Sequence, residues 1–308
     1  MPEFQLVAEG LRFPEGPVAM PDGTLLVVEI AKNCLTRIGT DGTLSIVART
    51  GVGPNGAAIG PDGKCYLCIS GGYEFTEDAQ HGMRPGLQPR DYAGGKIETV
   101  DLVTGNVEVL YDKSSRGPLR GPNDLVFDRQ GGFWFTDIGK NRVSEREHGG
   151  VYYAKADGSF ICEVIYPMVQ PNGIGLSPDE TILYVAETIT GRIWAFDIVA
   201  PGEIARQPFP SPNGGKLLAG LPGFQLFDSL AVDSEGHICV ATMHNAGITD
   251  IAPDGRVVAH VPLPDRFTTN VCFGGKDLKT AYATLSSSGR VVSVPWPRPG
   301  SPLNFLNT

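Results

Sequence analysis

Short apolar runs alternating with polar residues recur along the whole chain, and each is cut off by a turn signal within about eight residues. Six pairs of these runs superpose without a gap. Their first members open at Pro14-Glu15-Gly16, Pro54-Asn55-Gly56, Pro122-Asn123-Asp124, Pro171-Asn172-Gly173, Phe227-Asp228-Ser229 and Thr269-Asn270-Val271. Seven and eight residues after the central residue comes a turn pair: Asp22-Gly23, Asp62-Gly63, Gln130-Gly131, Asp179-Glu180, Glu235-Gly236 or Asp277-Leu278. A second β-rich run follows at 25–28, 65–69, 132–136, 182–186, 238–242 and 281–285. Two runs hinged on an Asp-Gly-like turn read as a β-hairpin. Most hairpins are trailed by further short strands around Asp41-Gly42, Thr104-Gly105, Asp157-Gly158 and Asp254-Gly255.

The steps between successive openings are 40, 68, 49, 56 and 42 residues. Four short strands in about 40–50 residues is a propeller blade. The pattern predicts an all-β, six-bladed propeller, one domain over residues 1–308, with blades starting near 15, 55, 123, 172, 228 and 270. After the sixth hairpin, prolines at 295, 297, 299 and 302 leave room for one more strand, at 290–294. Blade six therefore needs a strand from elsewhere. The apolar run at residues 4–8 is predicted to supply it and close the ring.

Composition adds little but excludes much. The 40 glycines and 25 prolines are spread evenly, as turns rather than a disordered tract. No run of 18 apolar residues exists. The start, Met1-Pro2-Glu3-Phe4-Gln5, has neither a basic region nor an apolar core, so no signal peptide and a cytoplasmic location are expected. A net charge of −9 argues against a nucleic-acid surface. Nothing points to a membrane or to a protein partner. Cys65 and Cys68 spell CxxC, but on a strand they face opposite ways and cannot chelate together. No GxSxG elbow, Ser-His-Asp spacing or P-loop occurs.

In a propeller the first strand of each blade lines the central channel. The repeated opening residue then forms a ring: Glu15, Asn55, Asn123, Asn172, Asp228 and Asn270. Every position offers a side-chain oxygen. Asn and Asp are also turn formers, which accounts for single instances such as Asn55 and Asn270. Glu15 is not explained that way. An all-oxygen set with two carboxylates suits a hard divalent cation, Ca²⁺ best, with Mg²⁺, Mn²⁺ or Zn²⁺ left open.

Residues 14–15 beyond the ring return to the same mouth. Three are acidic, Glu29, Asp137 and Glu187, and are read as candidates for contact with substrate or with the ring. His244 lies just past the blade-five strand and can face the mouth. A long segment at 71–94 reads as a lid. Arg84, Arg90, Lys140 and Arg142 are rim cations that could meet an anionic substrate.

The pieces Arg12-Phe13-Pro14-Glu15-Gly16-Pro17, Gly121-Pro122-Asn123-Asp124, Trp134-Phe135-Thr136-Asp137, Pro171-Asn172-Gly173 and Asp228-Ser229-Leu230-Ala231-Val232-Asp233 resemble the senescence-marker-protein, gluconolactonase and luciferin-regenerating-enzyme family. The resemblance covers nearly the whole chain. It implies a six-bladed propeller and a metal-dependent lactonase acting on a small-molecule lactone. It further implies metal ligands at Glu15, Asn172 and Asp228, a metal or substrate contact at Asn123, and a general base at Asp228. Sugar-lactonase members often carry Arg two residues before the third-blade Asn. Here that position is Gly121, with Arg120 beside it, and the segment at 71–94 is extra; both point to a different or larger lactone. Two other readings remain open: a phosphotriester or fluorophosphate hydrolase on the same metal, and a non-enzymatic binding propeller with the metal as a plug.

Overall fold

The computed structural model describes residues 3–308. Its β-strands assemble into six sheets of four or five strands, arranged as a six-bladed propeller. The inner strands are Pro14–Ala19, Pro54–Ile59, Pro122–Phe127, Pro171–Leu176, Leu226–Val232 and Thr268–Gly274. Each pairs antiparallel with the predicted second strand, as in Pro14–Ala19 with Leu25–Glu29 and Pro171–Leu176 with Ile182–Glu187. Gln5–Ala8 pairs with Arg290–Pro295 and completes the sixth sheet, so the ring is closed by the N-terminal strand. Among the described residues the only helical piece is a 3₁₀ turn, Ile30–Lys32. No helix is long and apolar enough to cross a membrane.

Alternation along the strands builds the core. Each blade turns one apolar face to the preceding blade and the other to the next. Val28, Leu35, Leu67 and Val100 fill the space between blades one and two. Cys68, Phe127, Phe133 and Phe135 fill that between blades two and three, and Trp134, Ile165, Val185 and Phe196 that between three and four. Cys65 faces the first of these clusters and Cys68 the second, so the CxxC pair points apart, and all six cysteines are free thiols. Each such side chain contributes about 1.5–3 kcal/mol on burial. The sum fixes the blades against one another and so fixes the channel.

All six inner strands share a register break at the ring. The pairing shifts between Glu15 and Val18, Pro54 and Ala57, Pro122 and Leu125, Pro171 and Ile174, Phe227 and Leu230, and Thr268 and Asn270. A bulge re-aims a side chain and bends the strand. Here it recurs at the residue that faces the axis. The inner strands also touch: a Cβ on Gly173 would lie 2.6–2.8 Å from the backbone of Asp228, Ser229 and Leu230, so that position admits only glycine.

At the end opposite the ring's mouth, the C-terminal segment crosses the floor. Ser301 N–H bonds Val232 O, the Asn304 amide bonds Phe127 O and Glu180, and Phe305 packs edge-on to Phe127. Ser301–Asn304 line an inner cavity of about 110 Å³ together with Asp124 and Asn270.

Candidate metal and substrate site

All six ring residues are buried, from 2% exposure at Asn123 to 8% at Asp228. Glu15 accepts hydrogen bonds from the Asn270 amide (2.8 Å) and from Gly16 N–H (3.0 Å). Asn172 Oδ1 accepts from the Ser229 hydroxyl at 3.5 Å. Burial pushes the Glu15 carboxyl up, against the opposing pull of its bonds to Thr269, Asn270 and Gly16. Burial raises Asp228 well above the ordinary carboxylate range, and the Glu15 charge adds to it. Asp124, the residue after Asn123, is driven to about 7 by burial and then by Glu15. No Lys, Arg or His is among the groups acting on these three carboxyls.

Unpaired buried carboxylates carry a desolvation penalty of several kcal/mol each. A divalent cation between them removes it. One further atom fits: Asn123 Oδ1 is a buried oxygen with no hydrogen-bond partner. Native proteins rarely leave such an oxygen unused. No trio of His, Cys, Asp or Glu spaced for an ion occurs among the described residues, so a cation here draws on amide oxygens as well as on Glu15 and Asp228. Hard oxygens of this kind match Ca²⁺ or Mg²⁺ chemistry.

The three strand-end acids are placed differently. Glu29 Oε2 accepts from Arg12 N–H (2.8 Å), and its Oε1 from Thr36 (2.6 Å) and Lys32 (3.0 Å). Asp137 accepts from the N–H groups of Arg120, Gly121 and Gly139 at 2.7–2.9 Å. Glu187 accepts from Val169 N–H (2.9 Å), Thr190 (2.9 Å) and Trp194 Nε1 (2.8 Å). Arg12, Arg120 and Val169 each precede their ring residue by three positions. Of the two expected contacts, with substrate or with the ring, the hydrogen bonds show one made through the backbone, since each carboxylate clamps the segment that leads into the ring.

Arg120 is exposed, its side chain 3.8 Å from Glu147. A Cβ on Gly121 would lie 2.8 Å from Gly139 O and 3.1 Å from Ile138 Cγ2, so no arginine fits at that position with this loop in place. His244 lies at the mouth in a left-handed conformation (φ 65°), stacked on Phe224 at 4.9 Å and 5.8 Å from Phe267. Burial and then Arg266 hold its imidazole below the usual value.

The segment 71–94 folds as a small hairpin, Phe75–Asp78 with Gly82–Pro85. It is tied down on several sides: Met83 N–H to Ser287 O (3.0 Å), Arg12 to Glu77 (2.8 and 3.0 Å), and Gln88 N–H to Asn141 O (3.1 Å). Phe75 packs on Phe13 at 5.3 Å, two residues from Glu15. The expected cationic rim is weaker than its composition suggests. Arg84 is paired with Asp78 and Arg142 with Glu147, while Lys140 is 2% exposed. Sequence reasoning did not single out Asp124. Asp124 left a signal, because it stands where three other openings have glycine.

The sequence pattern of the SMP-30/Gluconolactonase/LRE-like region matches residues 13–287. A gluconolactonase from Zymomonas mobilis subsp. mobilis is 27% identical over 319 aligned residues, covering 94% of this chain and 80% of its own. Lactonase drp35 from Staphylococcus haemolyticus is 28% identical over 267 residues, 86% of this chain and 74% of its own. The solved structure of regucalcin from Agrobacterium tumefaciens, described as a calcium-binding protein, superposes with a TM-score of 0.75. It shares 19% identity over 97% of this chain and 95% of its own.

Proposed function

The chain belongs to the SMP-30/gluconolactonase/LRE-like family, and from that premise we propose that it is a divalent-metal-dependent hydrolase opening a lactone to its hydroxy acid. The named lactonases among its relatives support lactone hydrolysis. The metal rests on one observation: Glu15 and Asp228 are buried without a cation, beside the orphaned Asn123 Oδ1. Glu15, Asn172, Asp228 and Asn123 would hold the ion, with Ca²⁺ the best match to the donors and Mg²⁺, Mn²⁺ or Zn²⁺ able to replace it.

Such an ion supplies a Lewis acid for a carbonyl oxygen and lowers the pKa of water. The chain's own residues do the rest. The Asp228 carboxylate accepts the proton of the attacking water as its oxygen bonds the lactone carbonyl carbon. The ring C–O bond breaks, and that proton leaves with the ring oxygen, which becomes the product hydroxyl. The Asn123 and Asn172 amides orient the substrate and steady charge on the carbonyl oxygen. Asn55 lines the channel, with His244 and Arg120 at its rim, while Glu29, Asp137 and Glu187 act through the backbone they hold. Residues 1–308 work as one domain.

A panel of lactones read by acid release, with chelator and with metals restored, tests this. Turnover lost on chelation and recovered with metal is the expected result. Preference for paraoxon-like esters over every lactone would overturn the substrate class. No turnover with a metal-dependent melting temperature would leave a metal-plugged binding propeller.

A further inference from the structure

We propose that Tyr73 is a substrate-contacting hydroxyl at the mouth and that Lys140 is the residue that positions it. This rests on the lactonase reading of the ring.

Gly72 and Gly53 are in backbone contact: a Cβ on Gly53 would collide with Gly72. Gly53 lies two residues before Asn55, so the segment 71–94 leaves the blade-two corner level with the ring. Tyr73 is the first side chain it carries there. Its ring is 6.4 Å from Phe75, which packs on Phe13. Burial, then the charges of Asp228 and Glu15, raise the phenol against the opposing pull of Ser70 and keep it protonated. A neutral phenol held there has one proton to donate and an oxygen that can accept. It donates to an oxygen of the bound lactone, and no proton changes hands.

Lys140 supplies the other half. It comes from the blade-three loop and is 2% exposed, yet it forms no ion pair among the described residues. Its ammonium donates to Gly72 O at 3.0 Å and lies 4.7 Å above the Tyr73 ring and 5.2 Å above Tyr92. Tyr92 is itself fixed by a hydrogen bond to Arg120 O at 2.5 Å. A lysine is seldom buried without a carboxylate. Here the partners are a carbonyl and two aromatic faces, an arrangement that gains from desolvation. Asp137 and Glu147 are the carboxylates that act on it, but Asp137 is occupied by three backbone N–H groups, and Glu147 pairs with Arg142 through Oε1 while its Oε2 has no hydrogen-bond partner. Burial brings the Lys140 ammonium down to about 8. The clamp therefore loosens as pH rises through that value.

The experiment compares the full-length wild type, Tyr73→Phe and Lys140→Met with the lactone that the panel selects. Circular dichroism and metal-dependent melting report fold and ion binding. Tyr73→Phe is expected to keep both and to lower kcat/KM by about 10- to 100-fold, mainly in kcat, as loss of one donor to the reacting group does. Lys140→Met is expected to lower kcat/KM by about 5-fold at pH 7 and to lack the fall in activity above about pH 8 expected of wild type; a merely structural lysine would not move that profile. Wild-type turnover with an unchanged Tyr73→Phe variant overturns the inference alone. No turnover of any lactone by the wild type removes the reading and the inference together. Should Lys140→Met fail to fold, the tyrosine variant still decides.

Discussion

Two sets of buried acids sit near the mouth of the propeller, one residue layer apart, and they are treated in opposite ways. Glu29, Asp137 and Glu187 are saturated, since donors on both carboxylate oxygens meet each at 2.6–3.0 Å. Glu15 and Asp228 are also buried, Glu15 takes its Asn270 and Gly16 hydrogen bonds on one oxygen, and its charge raises the proton affinity of Asp228. Burial alone therefore does not mark a functional acid. What separates the sets is whether the protein supplies the donors itself. A saturated acid braces the backbone, whereas an unsatisfied one awaits something that the chain does not contain.

The largest effect tests the unsatisfied set. Asp228→Asn should keep the circular dichroism spectrum and melting cooperativity while lactone turnover falls by about 10³-fold or more, given the loss of both proton acceptor and ion charge. Full activity in that variant would erase the distinction. Chelation comes next. Removing a tightly bound ion should lower the unfolding free energy by about 3–4 kcal/mol, the linkage expected at 100–1,000 times Kd. A Glu15→Gln/Asp228→Asn double variant should show no chelator effect on its melting temperature.

The saturated set should answer in stability instead. Glu187→Ala leaves Val169 N–H, Thr190 and Trp194 Nε1 without their acceptor. It should destabilise by about 2–4 kcal/mol in urea titrations, with kcat per folded molecule within a few-fold of wild type. The smallest effect is in pH. Burial pushes Glu29 up, but bonds from Thr36, Lys32 and Arg12 outweigh it and leave the carboxyl below its ordinary 4.5. Its contribution to stability is thus present above pH 4.5 and lost as pH falls through the lower folded value. The stability gap between wild type and Glu29→Gln should be flat from pH 7 to 5 and narrow below 4.5. A gap that widens on acidification would reverse the sign of that shift.

The hairpins and the ring were legible in the sequence for a physical reason. A fixed distance of seven or eight residues from Glu15, Asn55 or Asn172 to the turn pins the register of each hairpin, and register decides which face meets the axis. The closing strand was legible because blade six lacked material. The bulges at the ring were not, since an extra residue in one strand leaves no mark until the partner is known. The bracing by Glu29, Asp137 and Glu187 was not legible for a related reason: each takes a backbone N–H among its partners, and every residue but proline carries one. The path of 71–94 across the mouth, and of Ser301–Asn304 across the floor, depends on contacts between residues far apart in the chain, such as Met83 with Ser287 and Asn304 with Glu180.

The sixth sheet is stitched from both ends of the chain, Gln5–Ala8 lying against Arg290–Pro295. During synthesis the first five blades can settle in order as they leave the ribosome. Gln5–Ala8, made before them, must stay unpaired until Arg290–Pro295 arrives. The ring is a clasp that snaps shut only when Arg290–Pro295 meets Gln5–Ala8. Trimming the strand Gln5–Ala8 would not shorten a tail; it would unfasten the outer seam of the blade whose inner strand carries Asn270 to Glu15.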